Sequence, residues 1–388
     1  MSPIRSIRAP LSRARGFTVG ALLVASAASA RAQANLSIQG YGFPQGQFSA
    51  RTQGTGGAIA ESDPLSPVNP ASIGVFQSRI LFFQMEPEFR SVNSPKGSEH
   101  TSTARYPVVL GALPLGKGVV FGLSSSTFLD RTSTTSFETT QILTGIDSVP
   151  MTTTYQISGA MNDNRFAVAW APYSWVRLGA GIHAITGHNL IDIKQTFVDT
   201  IVFSAFEQQT TIGFSGSAAS AGFQLISKVA SLSASARWGG SLRASIGDTV
   251  LGRANVPNRY GVGIAFLGIP NSSISVRAAH ENWSSMDGLG TPGLVGVDGW
   301  DSSVGADVAG PRITNRTIFL RAGARNRTLP FKAAGATVRE KSFSGGLGTT
   351  FANGRVMADV AAIRSLRDAD IAASERAWTL SFGISVRP

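Results

Sequence analysis

The last nine residues before the C-terminal Arg-Pro read Trp378-Thr379-Leu380-Ser381-Phe382-Gly383-Ile384-Ser385-Val386. Large apolar side chains hold every even position, and glycine or hydroxyl residues hold every odd one. Successive side chains of a strand point to opposite faces, so this stretch is an extended strand with one apolar and one small, polar face.

The same period recurs along the chain. Tyr260, Val262, Ile264 and Phe266 alternate with Arg259, Gly261, Gly263 and Ala265, and Val176, Leu178, Ala180 and Ile182 with Arg177, Gly179, Gly181 and His183. Leu232, Ala234, Ala236 and Trp238 alternate with Ser231, Ser233, Ser235 and Arg237, and Ile318, Leu320 and Ala322 with Phe319, Arg321 and Gly323. A soluble β-sandwich produces such alternation too. Two features discriminate. The small-residue faces carry recurring arginines, as a wet interior would, and tight turns alternate with long polar loops, the porin-like asymmetry of membrane barrels.

The tight turns read Leu115-Gly116-Lys117-Gly118, Pro172-Tyr173-Ser174, Ile226-Ser227-Lys228, Ile269-Pro270-Asn271, Pro311-Arg312-Ile313 and Ala352-Asn353-Gly354, and the long loops include Asn93 to Ser102, Thr132 to Pro150, Ser284 to Gly296 and Asn326 to Glu340. Between them the pattern predicts an all-β transmembrane antiparallel barrel of fourteen strands, near 79–92, 102–113, 119–131, 151–171, 175–197, 210–225, 229–246, 257–268, 273–283, 298–309, 316–326, 341–351, 355–366 and 375–387. An even count returns both barrel ends to one side of the membrane. In 210–225 the apolar parity slips from Ile212 and Phe214 to Phe223 and Leu225, which implies either a bulge or a kink that opens the wall.

Charged residues are only 15% of the 388, against roughly 25% in soluble domains, and this fits a lipid-facing surface. The absence of cysteine excludes disulfides, thiolate metal sites and cysteine nucleophiles, and four scattered histidines make no metal site. Arg5, Arg8, Arg13 and Arg15, the apolar stretch Gly16 to Ala27 and the small residues of Ala28 to Ala34 form a secretory signal peptide, residues 1–32, with cleavage within 30–34. Its arginines account for much of the +11 net charge, and no basic run remains to argue for nucleic acid.

Residues 33–78 precede the barrel (79–388) and do not alternate. Gly54, Gly56 and Gly57, then Asp63-Pro64, Ser66-Pro67 and Asn69-Pro70-Ala71, are turn chemistry over a length too great for an ordinary loop, which fits a plug folded into the pore. The run Ser49-Ala50-Arg51-Thr52-Gln53-Gly54-Thr55-Gly56-Gly57-Ala58-Ile59-Ala60, followed by Asp63-Pro64 and Asn69-Pro70-Ala71-Ser72-Ile73, resembles the N-terminal hatch of FadL-type outer-membrane transporters. Leu329-Pro330-Phe331 is similar to a stretch near the end of related barrels, whereas Val386-Arg387-Pro388 departs from the terminal aromatic of many of them. The resemblance implies an exported protein of the bacterial outer membrane. It further implies passive uptake of a hydrophobic small-molecule ligand such as a long-chain fatty acid or hydrocarbon. Contact with outer-membrane lipid and with the barrel-assembly machinery would follow. The alternative is a non-transporting relative that serves as a secretion-system partner or scaffold.

No cofactor and no enzymatic activity are expected. Gly288-x-Gly290-x-x-Gly293 contains Pro292 and lacks the strand–helix context of a dinucleotide site. His183 is the one histidine that alternation places inside the lumen at mid-strand, and serines are too abundant for a Ser/His pairing to be informative. Arg177, Arg237, Arg259, Arg277 and Arg321 recur at lumen parity. Either they pair with Glu61, Asp63, Glu281 or Asp359 and hold the hatch, or some of them attract an anionic head group.

Overall fold

A computed structural model describes residues 40–94, 97–141, 149–197, 204–289, 295–313, 316–369 and 374–388. The expected signal peptide and the first residues after it lie outside the described residues.

The strands are β1 (Ile80–Ser94), β2 (Gly97–Arg105), β3 (Val108–Gly116), β4 (Val119–Asp130), β5 (Ser133–Gln141), β6 (Val149–Tyr173), β7 (Val176–Phe197), β8 (Phe206–Ile226) and β9 (Ala230–Ile246). They continue as β10 (Thr249–Asn255), β11 (Arg259–Phe266), β12 (Ser273–Glu281), β13 (Gly299–Ile313), β14 (Arg316–Ala333), β15 (Ala336–Phe351), β16 (Val356–Asp368) and β17 (Ser374–Val386). Every pairing is antiparallel, and β17 pairs with β1 to close the cylinder. Three staves are interrupted: β2 and β3 together face β1, β4 and β5 face β6, and β10 and β11 face β9. Counting each interrupted stave once leaves fourteen, one for each expected strand. Two of the interruptions hold Pro107 and Pro257, which have no N–H to give to a ladder.

Four expected connections are corrected. Asn93 to Ser102 is not an open loop, since β1 and β2 stay paired up to Ser94 and Gly97, and most of Thr132 to Pro150 is strand, with β5 and β6 paired up to Gln141 and Val149. Asn326 to Glu340 is not an open loop, because β14 and β15 stay paired up to Ala333 and Ala336 and turn through Ala334 and Gly335, both at positive φ (49° and 86°). A two-residue turn of that hand matches the twist of the strands it joins. Pro311-Arg312-Ile313 is not a turn either, since β13 runs through it to Ile313. The parity slip in β8 is a bulge: the register against β9 shifts between Gly216 and Ala218 and then resumes.

The faces are as alternation requires. Ile182, Phe343 and Leu81 stand outward, 65%, 60% and 62% exposed, while Ser381, Ser385 and Thr379 are buried inside. Apolar outward and small or polar inward is the arrangement of a membrane-spanning barrel. Residues 40–76 lie, largely buried, within the lumen. They contain helix α1 (Ala50–Gly54), capped by Ser49, and a 3₁₀ helix, Pro70–Val75, capped by Asn69.

Candidate functional site: the occupied lumen

Each residue type in the inner segment has a local reason to be there. Asp63 accepts hydrogen bonds from three hydroxyls, Ser49 (2.5 Å), Thr52 (2.8 Å) and Ser66 (2.8 Å), which draw two distant turns into one knot. Asn69 accepts from the Ala71 backbone N–H and donates to the Glu61 carbonyl, both at 2.9 Å, so the Asn-Pro-Ala turn is tied to the strand-facing part of the segment. Pro70 at the first helical position costs nothing there, because its missing N–H would have had no partner. Gly56 and Gly57 adopt positive φ (66° and 92°), and a Cβ on Gly56 would stand 2.8 Å from the Ala324 backbone nitrogen. Gly54 packs against Gly346 across the same wall.

Glu61 is the electrostatic centre. It is 1% exposed, pairs with Arg259 and with Arg277 (3.3 Å), and accepts from Ser235 Oγ at 2.6 Å. Burial alone would raise its pKa, but the pull of Arg259 and Arg277 outweighs it and holds the carboxyl below its ordinary value. Arg51 adds a pair to Asp307 at 2.9 Å. Two phenylalanines complete the seat. The Arg327 and Arg367 guanidiniums lie over Phe43 (4.9 and 4.4 Å), and those of Arg277 and Arg325 lie over Phe48 (5.0 and 4.6 Å).

The five lumen arginines divide. Arg259 and Arg277 hold Glu61, and Arg277 also reaches Asp301 at 2.9 Å. Arg321 pairs with Asp359 at 2.7 Å, within the wall. Arg237 lies 3.7 Å from Asp163 and 3.9 Å from Glu281, over the Phe128 ring. Arg177 is half-buried near one barrel end and donates to Gln224 Oε1 at 3.0 Å. Glu61, Glu281 and Asp359 are thus arginine partners, as anticipated, whereas Asp63 is held by hydroxyls.

Sequence reading missed a second ionic network on β1 and its neighbours. Glu88 pairs with Arg90, Arg105 and Arg367, and Arg367 continues to Glu340 and Glu375. The signal was present in Glu86, Glu88 and Arg90, which share lumen parity. Phe43 and Phe48 gave none, being lone aromatics in a segment without a period.

The lumen therefore has two unlike sides. Along β11–β17 and β1 it is mainly ionic, with a small apolar cluster of Leu329, Phe331, Ala333 and Val338 beside Phe43. Along β4 and β6–β10 it is apolar on the long-loop side: Phe128, Met161, Ile185, Leu242 and Val256 cluster with Tyr41 and with Trp283, Met286 and Leu289 of a 3₁₀ helix, Trp283–Leu289, that folds in from the loop after β12. A polar-rimmed cleft between the sides is lined by Phe48, Phe128, Trp283, Arg237, Arg277 and Arg325. Below the apolar cluster, the Asn69-Pro70-Ala71 turn rests on Gly179 and Gly222, where an added Cβ would come within 2.4 Å of the Ala71 nitrogen and 2.0 Å of Asn69 Oδ1.

No family model and no curated protein matches the sequence. Solved structures do match. The toluene transporter TodX of Pseudomonas putida superposes with a TM-score of 0.55 at 13% identity, covering 88% of this chain and 99% of its own. The toluene transporter TbuX of Ralstonia pickettii gives 0.50 at 14% identity, covering 88% and 98%. The architecture implied by the FadL-type resemblance, a fourteen-stave barrel with its N-terminal segment inside, is the one this chain adopts, and it shares that fold with these hydrocarbon transporters.

Proposed function

We propose that the chain is a channel of the bacterial outer membrane for passive entry of small hydrophobic molecules, with aromatic hydrocarbons as the substrate class and residues 40–76 as a displaceable hatch. The observation that carries this reading is the apolar side of the lumen. A membrane barrel is stabilised by its outward belt, so it has no need of an inward cluster of Phe128, Met161, Ile185, Leu242, Trp283 and Met286. Such a surface inside a pore suits an apolar solute, which exchanges contacts with those side chains as it descends. The kinship of fold with toluene transporters points the same way.

Among the described residues, the ion pairs of the hatch lie on one side only. They run to Arg259, Arg277 and Asp307, on β11, β12 and β13. Against β4 and β6–β8 it makes hydrogen bonds and van der Waals contact: Gln47 to Ser126 and Asp163, Gln224 to the Glu61 carbonyl, and the Asn-Pro-Ala turn on two glycines. Tilting about the ionic side would open a path along the apolar side. Of the lumen arginines, Arg177 is the one proposed to meet an anionic head group; the support is that its guanidinium bonds an amide in place of a carboxylate. Translocation needs no cofactor. Export by the signal peptide and insertion by the assembly machinery would deliver the protein to this membrane.

Toluene uptake into proteoliposomes tests the reading. Leu242→Glu, which puts a charge in the middle of the apolar side, should abolish uptake while the barrel still folds. Uptake equal to that of the unsubstituted protein would remove the route.

A further inference from the structure

His183 has a different partner on each ring nitrogen. Nδ1 lies 2.7 Å from Asp163 Oδ1, and Nε2 lies 2.8 Å from Ser220 Oγ. With Asp163 accepting from Nδ1–H, Nε2 is the unprotonated nitrogen and accepts from the serine hydroxyl. The sheet fixes this order. In β6, β7 and β8, Asp163 stands opposite Ile185 and Ser220 opposite Gly181, so each sits diagonally from His183 on the lumen face.

Directly across from His183 is Arg165, 3% exposed, and its Nε and Nη1 have no hydrogen-bond partner. A buried cationic donor left unmatched is costly and calls for a physical reason. Ser220 Oγ and Arg165 Cδ lie 2.8 and 3.5 Å from the point where a Cβ on Gly181 would stand, so the serine hydroxyl and the arginine stem border the opening that this glycine leaves. One lumen position further toward the long loops, all three strands turn apolar, with Met161, Ile185 and Ala218. The arrangement is a hydroxyl with a base in reach, an oriented base, an unused cationic donor beside the hydroxyl, and an apolar pocket wall above.

We propose that Ser220, His183 and Asp163 form an acyl-transfer site for carboxylic esters of small apolar acids. Ser220 Oγ attacks the ester carbonyl carbon while His183 Nε2 takes the hydroxyl proton, and the N–H groups of Arg165 face the developing oxyanion. The C–O bond to the alcohol breaks, and the proton on Nε2 leaves with that alcohol. Water, deprotonated by Nε2, then attacks the acyl-serine and releases the carboxylic acid, and Ser220 recovers its proton. Asp163 is the positioning residue. The hatch overlies it, since Gln47 Nε2 donates to Asp163 Oδ2 at 3.0 Å, so hatch displacement would uncover the site.

The proposal rests on entry of apolar molecules into the lumen, so both are tested in one preparation. The full chain in proteoliposomes is treated with a short-chain alkyl fluorophosphonate and, separately, with p-nitrophenyl butyrate, and toluene uptake is measured alongside. The expected result is one phosphonate adduct, mapped by mass spectrometry to Ser220. Ser220→Ala should lose both adduct and hydrolysis, His183→Gln should slow labelling by about a hundredfold or more, and Ser233→Ala should label normally. Heat-modifiable migration on gels verifies that each variant is folded. No adduct at Ser220, or hydrolysis that persists in Ser220→Ala, overturns the acyl-transfer site, whatever the uptake result. Uptake without an adduct refutes only this site, and an adduct without uptake refutes only the channel.

Discussion

The ionic and apolar sides of the lumen hold the same hatch by different physics. On the ionic side, Glu61 is enclosed by Arg259, Arg277 and Ser235, and guanidiniums lie over the rings of Phe43 and Phe48. Removing one partner there strands a buried charge. On the apolar side, the Asn-Pro-Ala turn meets bare glycine backbone, and the cluster above it is held by dispersion and exclusion of water. Contacts of the second kind can be replaced by an apolar ligand at little cost, whereas those of the first kind cannot. On the proposed function, one side is an anchor and the other a passage.

The strongest way to break that contrast is at the anchor. Glu61→Ala leaves two arginines facing each other in a buried site, and should cost about 3–5 kcal/mol in urea unfolding, with a rise in ion conductance across planar bilayers. Acid should act similarly. Because the folded pKa of Glu61 is lowered, its contribution is present above its unfolded value of about 4.3 and is lost as pH falls through the folded value. Glu61→Gln should therefore flatten the acid limb of the conductance profile.

A smaller effect is expected at the seat of the turn. Gly222→Ala would put a methyl 2.0 Å from Asn69 Oδ1 and should displace the 3₁₀ helix, costing about 1–3 kcal/mol and making the hatch leak, with the barrel unaffected. Smaller again is Phe43→Leu, which keeps the burial but loses the guanidinium stacking, about 1–2 kcal/mol in the same unfolding assay. The smallest is Arg177→Gln, which should leave toluene uptake unchanged and weaken binding of a fatty acid severalfold. Equal loss for both ligands would remove Arg177 from any head-group role.

The barrel was legible because its signal is local and repeated: each strand states its own two faces, and turn chemistry separates them. The strand expected at 298–309 is instructive. Its aspartates lower its hydropathy, yet Asp301 and Asp307 face inward and meet Arg277, Arg325, Arg51 and Arg321. Alternation was the correct guide and hydropathy was not. The hatch was legible only as a compact, turn-rich segment, and its anchor required knowing which strand lies opposite Glu61, information that a linear pattern does not contain. The long Asn326–Glu340 hairpin was misread because Asn326, Arg327 and Lys332 look like loop residues, although two of the three face the exterior beyond the apolar belt, where polar side chains are at ease in a strand. Asp163 and Ser220 could not be matched to His183 without the register.

The most direct test of anchor and passage is to fasten the side that is held to move. A Cβ on Gly74 would lie 3.4 Å from the Ala169 Cβ, close to the separation a disulfide needs, and the chain has no other cysteine. In Gly74→Cys/Ala169→Cys, the account predicts that toluene uptake falls to the level of empty liposomes on oxidation and returns on reduction. Equal uptake in the oxidised and reduced protein would contradict it.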